Sequence, residues 1–241
     1  MSATPGAERP ILVVAAGQTF DELSRAEGDF PDWIARGLGD GVPLRHADAR
    51  EAPDYPDPRT LGGVVVSGSH AMVSDRAPWS EHLARWLKDC VDADLPVLGI
   101  CFGHQLLAHA LGGEVGRLPE GPEVGTREVR LGPEAVDDAL LGALPARFPA
   151  QLIHYQSVRR LPLGAVPLAR SEIEAHQAFR VGRRAWGVQF HPEFSATAMR
   201  GYLERLKGEL GEEAVRRLDE VGPTPQAAQV LRRFAELTRQ A

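Results

Sequence analysis

Cys101 ends an apolar run, Pro96-Val-Leu-Gly-Ile-Cys101, and directly precedes a helix-like one, Phe102-Gly-His-Gln-Leu-Leu-Ala-His-Ala110. A thiol at a strand-to-helix junction is pushed out of the sheet by the sharp turn. The helix N-terminus behind it offers unpaired N–H groups and a partial positive charge, and both favour thiolate over thiol. Gly99 and Gly103 bracket Cys101 two residues away on either side and permit close backbone approach. Gln105, four residues on, falls on the same helical face. Burial in a core is the ordinary fate of an isolated cysteine, but core packing needs none of these neighbours.

A thiolate nucleophile needs a base to take and return a proton, and the base needs an orienting partner. The segment Trp186-Gly-Val-Gln-Phe-His-Pro-Glu-Phe194 offers both. His191 follows an apolar strand and is held between Phe190 and Pro192. Glu193, two residues on, is close enough to hold the second ring nitrogen. One of eight histidines, taken singly, reads as packed or solvated. A His-Pro-Glu roughly ninety residues after a glycine-framed cysteine is a much more specific signal. The predicted chemistry is nucleophilic catalysis by Cys101, His191 and Glu193.

The elements that must position these residues alternate through the first half. Ile11–Gly17 and Gly63–Ser69 read as buried parallel strands, Val42–Asp48 as a further strand, and Val97–Ile100 as the strand into the elbow. Helices are expected around Asp29–Leu38 and Glu81–Val91, and Glu51–Arg59 is a Pro- and Asp-rich loop. The expected architecture is α/β: a flavodoxin-like, doubly wound, mostly parallel sheet with helices on both faces. Between Glu114 and Phe190 the pieces Thr126–Leu131, Gln151–Tyr155, Ala165–Ala169, His176–Val181 and Ala185–Phe190 read as strands. Several of them alternate, as antiparallel strands with one wet face do, which predicts a smaller antiparallel sheet. Two helices follow Ser195 and another spans Pro225 to Arg239. Its apolar stripe of Ala227, Val230, Leu231, Phe234 and Leu237 is read as packing on the parent domain. Residues 1–241 are expected to form one domain, with extra C-terminal helices from about 212.

The bulk numbers set the class. With 241 residues, 43% hydrophobic and 25% charged, the chain is that of a soluble globular protein. A formal net charge of -6 argues against nucleic acid as the main partner. No apolar run is long enough for a bilayer span, and Met1–Pro10 lacks the charge-then-apolar pattern of a signal peptide. Of the two cysteines, Cys90 reads as helix packing. A disulfide framework is not expected, and a reducing cytoplasm suits a working thiol. The histidines show no metal-ligand spacing, so neither metal nor cofactor is expected; His70 and His104, near the site, are read as packed or solvated.

The sequence resembles the class I (triad) glutamine amidotransferases, in particular the group similar to the amidotransferase domain of GMP synthase. Four segments carry the likeness: Ser67-Gly-Ser-His70, Gly99-Ile-Cys-Phe-Gly-His-Gln105, Ile153-His-Tyr-Gln-Ser-Val158 followed by Leu161-Pro162, and Gly187-Val-Gln-Phe-His-Pro-Glu193. The resemblance implies that Cys101 attacks the side-chain amide of glutamine and forms a γ-glutamyl thioester. His191, oriented by Glu193, would protonate the departing ammonia and then activate water. The oxyanion would be held by backbone N–H groups of Phe102 and of the Gly68–Ser69 loop. Gln105 would contact the substrate, and His154, Tyr155 and Gln156 would supply contacts to its amino-acid head.

Two segments depart from the family's pattern. Gly68-Ser69-His70 stands where relatives often have Gly-Gly-Pro. His154-Tyr155-Gln156 stands where many have His-Gly-Asp, so a carboxylate expected near the substrate's α-amino group is missing. No phosphate-cradling loop of a synthase domain follows Phe194. The expected partners are therefore glutamine, or another γ-glutamyl small molecule, and a separate synthase subunit accepting ammonia. An alternative with the same thioester chemistry is a γ-glutamyl peptidase or hydrolase acting on glutathione-like or γ-glutamyl amine substrates. A third possibility, a non-catalytic regulatory binding module, is opposed by the intact Cys101, His191 and Glu193.

Overall fold

The computed structural model describes residues 9–239. Residues 1–8, most of the stretch read above for a signal peptide, lie outside them. The elements in chain order are β1 (Ile11–Ala15), α1 (Asp21–Glu27), α2 (Phe30–Leu38), β2 (Leu44–Asp48), β3 (Gly63–Val66), α3 (Pro78–Asp92), β4 (Val97–Ile100), α4 (Phe102–Ala110), β5 (Glu114–Arg117) and β6 (Glu123–Leu131). They continue with β7 (Arg147–His154), β8 (Gln156–Arg160), β9 (Val166–Arg170), β10 (Ala178–Val181), β11 (Ala185–Val188), α5 (Ala196–Arg205), α6 (Lys207–Leu210), α7 (Glu212–Glu220) and α8 (Pro225–Thr238).

The main sheet has nine strands in the order β2-β1-β3-β4-β11-β10-β9-β6-β7. From β2 to β11 every pairing is parallel, and from β11 to β7 every pairing is antiparallel. The antiparallel strands of the second half therefore extend the parallel sheet. Only β5 and β8 form a separate two-stranded antiparallel sheet. Helices cover both faces, and strand alternation sorts their partners. Ile11 and Val13 face one core, shared with Ile34 and Leu38 of α2 and with Val230, Leu231 and Phe234 of α8. Leu12 and Val14 face the other, shared with Leu83 and Leu87 of α3 and Leu106 of α4.

Helix starts follow the local chemistry. Asp29 caps α2 in a reciprocal arrangement with Asp32, and Ser195 caps α5 by accepting from the Ala198 N–H. Pro78 and Pro225 stand at the first positions of α3 and α8, where a missing N–H costs nothing. Cys90 is fully buried, and burial followed by the charge of Asp89 pushes its thiol up, as core packing requires. The stripe on α8 packs inward against α2 and β7, with Ala227, Val230, Leu231 and Phe234 buried. Among the described residues no helix is long and apolar enough to cross a membrane.

Candidate active site

The elbow is built by backbone packing. β4 lies between β3 and β11, with Gly99 opposite Gly187 and Ile100 opposite Val188. The Cys101 N–H donates to the Val188 carbonyl at 2.9 Å, while its own carbonyl accepts from the Gln105 N–H at 3.0 Å. Cys101 thus belongs to the sheet on one side and to α4 on the other. The turn forces φ 50° and ψ −99° on a residue with a Cβ, a conformation that costs about 1–3 kcal/mol. Two glycines make it possible. A Cβ at Gly103 would stand 2.5 Å from the Val66 carbonyl oxygen, and one at Gly99 would run into the Gly103 carbonyl.

β11 runs parallel to β4, so the chain leaving it delivers His191 beside Cys101. The His191 N–H donates to the Gln151 carbonyl on β7 at 2.8 Å, fixing the backbone there. Its Nδ1 lies 2.7 Å from Glu193 Oε1, and both side chains are buried. Nε2 has no hydrogen-bond partner, and the Cys101 thiol is turned towards the Ile153 carbonyl at 3.7 Å. Burial pushes His191 down, but the charges of Glu193 and Cys101 more than reverse this and raise it to about 10. The balance favours the protonated imidazole, with Nε2 on the Cys101 side of the ring.

Cys101 and His191 open onto a cleft of about 390 Å³. Ser69, Phe102, Gln105 and the segment Ile153–Gln156 also line it. Of the three expected oxyanion donors, Ser69 and Phe102 border the cleft, whereas Gly68 is buried beneath the His191 ring. A Cβ at Gly68 would stand 2.9 Å from His191 Cε1. The loop is held by Ser67, whose hydroxyl donates to the Gly68 carbonyl and accepts from the Ala16 N–H. That fixes the plane of the Gly68–Ser69 peptide.

The expected substrate contacts are more committed than their positions imply. Gln105 Nε2 donates to the Gln156 carbonyl and to Gln189 Oε1, which leaves its carbonyl oxygen for a substrate. His154 is occupied at both nitrogens, by the Gln156 carbonyl and by Glu123. The Gln156 side chain is tied to Ser74, donating to its hydroxyl and accepting from its N–H. Tyr155 lines the cleft with its ring.

His104 is fully buried on the far side of α4, against Gly187 and Phe179, and burial lowers it to about 3. His70 does reach the cleft wall, its ring tilted against that of Phe20 at 4.7 Å and within 3.1 Å of the Tyr202 hydroxyl. Sequence reasoning passed over Phe20, Tyr202, Arg117 and Glu209, which also form the wall. They come from four separate elements and loops, and no local spacing connects them. Among the described residues no three His, Cys, Asp or Glu side chains are grouped to hold a metal ion.

The family model described as glutamine amidotransferase class-I matches residues 43–207. The chain is 43% identical over 136 residues to a glutamine-hydrolysing GMP synthase of Aeropyrum pernix, covering 56% of this chain and 25% of that protein. It is 31% identical over 158 residues to γ-glutamyl peptidase 4 of Arabidopsis thaliana, covering 65% and 63%. A crystal structure of a glutamine amidotransferase from Methylobacillus flagellatus superposes with a TM-score of 0.74 at 26% identity, over 97% of this chain and 94% of that one. The chain thus spans a quarter of the synthase and less than two thirds of the peptidase.

Proposed function

The chain belongs to the class I glutamine amidotransferase family, and from that premise we propose that it hydrolyses the side-chain amide of glutamine through a thioester on Cys101. What carries the reading is His191, held at Nδ1 by buried Glu193 and sharing a cleft with the Cys101 thiol on its strained elbow. In the first half-reaction the Cys101 thiolate adds to the amide carbonyl. N–H groups of Phe102 and the Gly68–Ser69 loop hold the oxyanion; one such donor is worth roughly 3–4 kcal/mol. His191 passes its Nε2 proton to the nitrogen, the C–N bond breaks, and ammonia leaves behind a γ-glutamyl thioester. In the second, neutral His191 takes a proton from water. The hydroxide attacks the thioester, and collapse releases glutamate and returns the thiolate beside the imidazolium. Ammonia is released or passed to an acceptor enzyme on a separate chain.

A second reading keeps every step and changes the leaving group to an amine or peptide. The Tyr155-Gln156 departure and the similarity to γ-glutamyl peptidase 4 favour it. The deciding experiment is a substrate panel on the isolated chain, glutamine against γ-glutamyl peptides and amines, compared as kcat/KM. Faster turnover of glutamine, or glutaminase activity that rises with a second protein, supports the first reading; inert glutamine beside a hydrolysed γ-glutamyl peptide supports the second. A glutamine-like diazo-ketone that leaves Cys101 unlabelled in the folded protein would overturn both in favour of a binding module.

A further inference from the structure

Cys101 and His191 act on the γ end of a substrate, so the rest of the cleft decides which acyl groups are admitted. Apart from histidines, its wall carries two charged side chains of opposite sign, Arg117 at the end of β5 and Glu209 in α6. Both are exposed, and among the described residues neither is in an ion pair. They meet at Tyr155. Arg117 pairs with Gln156 in the small sheet, and the next residue, Leu118, donates its N–H to the Tyr155 carbonyl at 3.1 Å. Burial, then a hydrogen bond to the Glu209 carboxylate and its charge, hold the Tyr155 phenol above its ordinary value, which sets Glu209 at that ring. Gln156 cannot share the task, because its side chain is engaged with Ser74.

The two charged residues share one cleft with the nucleophile. The thiol contacts the Ile153 carbonyl, and the chain bends at Tyr155, two residues on, into the cleft wall that Arg117 and Glu209 also form. From the carbonyl carbon under attack to the two substituents on Cα of an extended γ-glutamyl group is about 5 Å. Those substituents are one carboxylate and one ammonium. A wall offering one cation and one anion, neither neutralised by an ion pair among the described residues, is complementary to that pair.

We propose that Arg117 and Glu209 form the head-group subsite of the cleft, Arg117 taking the α-carboxylate and Glu209 the α-ammonium. The assignment rests on the reading of Cys101 as the nucleophile towards γ-glutamyl compounds. It makes the subsite selective for acyl groups that carry both charges. Glu209 then supplies, from a distant helix, the carboxylate absent from the segment at 154–156.

The test carries three acyl groups on whichever leaving amine the native chain handles fastest: γ-glutamyl, glutaryl (no α-ammonium) and 4-aminobutyryl (no α-carboxylate). Arg117→Gln is expected to lose on the order of 10- to 100-fold in kcat/KM on the γ-glutamyl substrate, mostly through KM, the loss appropriate to a charged hydrogen bond. It should leave the 4-aminobutyryl rate unchanged. Glu209→Gln should lose similarly on γ-glutamyl and leave glutaryl unchanged. An active native chain whose variants lose equally on all three, or not at all, overturns the subsite and leaves the nucleophile assignment standing. A native chain that turns over no γ-glutamyl substrate and resists diazo-ketone labelling at Cys101 overturns both.

Discussion

At the scale of single residues, the decisive quantity is the charge on His191. Its affinity for a proton is set by a contest between burial, which opposes the charge, and Glu193 and Cys101, which favour it. The group titrates at about 10, above the ordinary histidine value, so the protonated acid persists below that pH and is lost above it. The alkaline limb of kcat/KM is therefore expected near pH 10. Glu193→Gln removes the charge but keeps an acceptor for Nδ1, so the limb should move down by about 1–3 pH units. A pH–rate profile of the two proteins measures the difference, and an unmoved limb would place the proton on another group. Residue type and neighbours singled out Cys101, His191 and Glu193, and the structure brings the three together. The proposed head-group residues Arg117 and Glu209 leave no such signal, since each sits in a polar stretch that looks like a solvated surface.

The elements explain why the thiol stands where it does. Cys101 keeps an unfavourable backbone because β4 and α4 are locked to β3 through glycine contacts. Gly103→Ala forces a Cβ against the Val66 main chain, which cannot swing aside as a side chain would. The expected result is a loss of about 1–3 kcal/mol in urea unfolding together with a large fall in kcat, because any relief of the clash displaces Cys101. Long apolar elements were legible beforehand: β1, β3, β4, α2, α3 and α8 fall close to where their periodicity put them. Short polar elements were not. α1 buries no residue, and β5 has two exposed and two half-buried residues, so neither leaves an apolar pattern to find. Both β6 and β7 start ahead of the segments read as strands, at Glu123 and Arg147, in stretches that mix charged and apolar residues.

Across the whole molecule, two cores hold the sheet between its helical layers, and the C-terminal helix closes one of them. Phe234 is fully buried there, with its ring 6.5 Å from that of Trp186 on β11. Phe234→Ala should cost about 3–5 kcal/mol, seen as a lower urea midpoint. Because Trp186 lies on the strand leading to His191, stability and activity should fall together as the midpoint is approached. That the antiparallel strands continue the parallel sheet could not be read from sequence. Alternation reports which face of a strand is wet, whereas the neighbour it pairs with is a tertiary choice. The order of strands has a further consequence for how the molecule comes into being. β11, which carries the path to His191, is the last strand among the described residues yet lies at the centre of the sheet, beside β4. A ribosome therefore emits Cys101 long before its basic partner exists. During that interval the sheet is unfinished at β4, and Cys101 meets His191 only when β11 slots between β4 and β10.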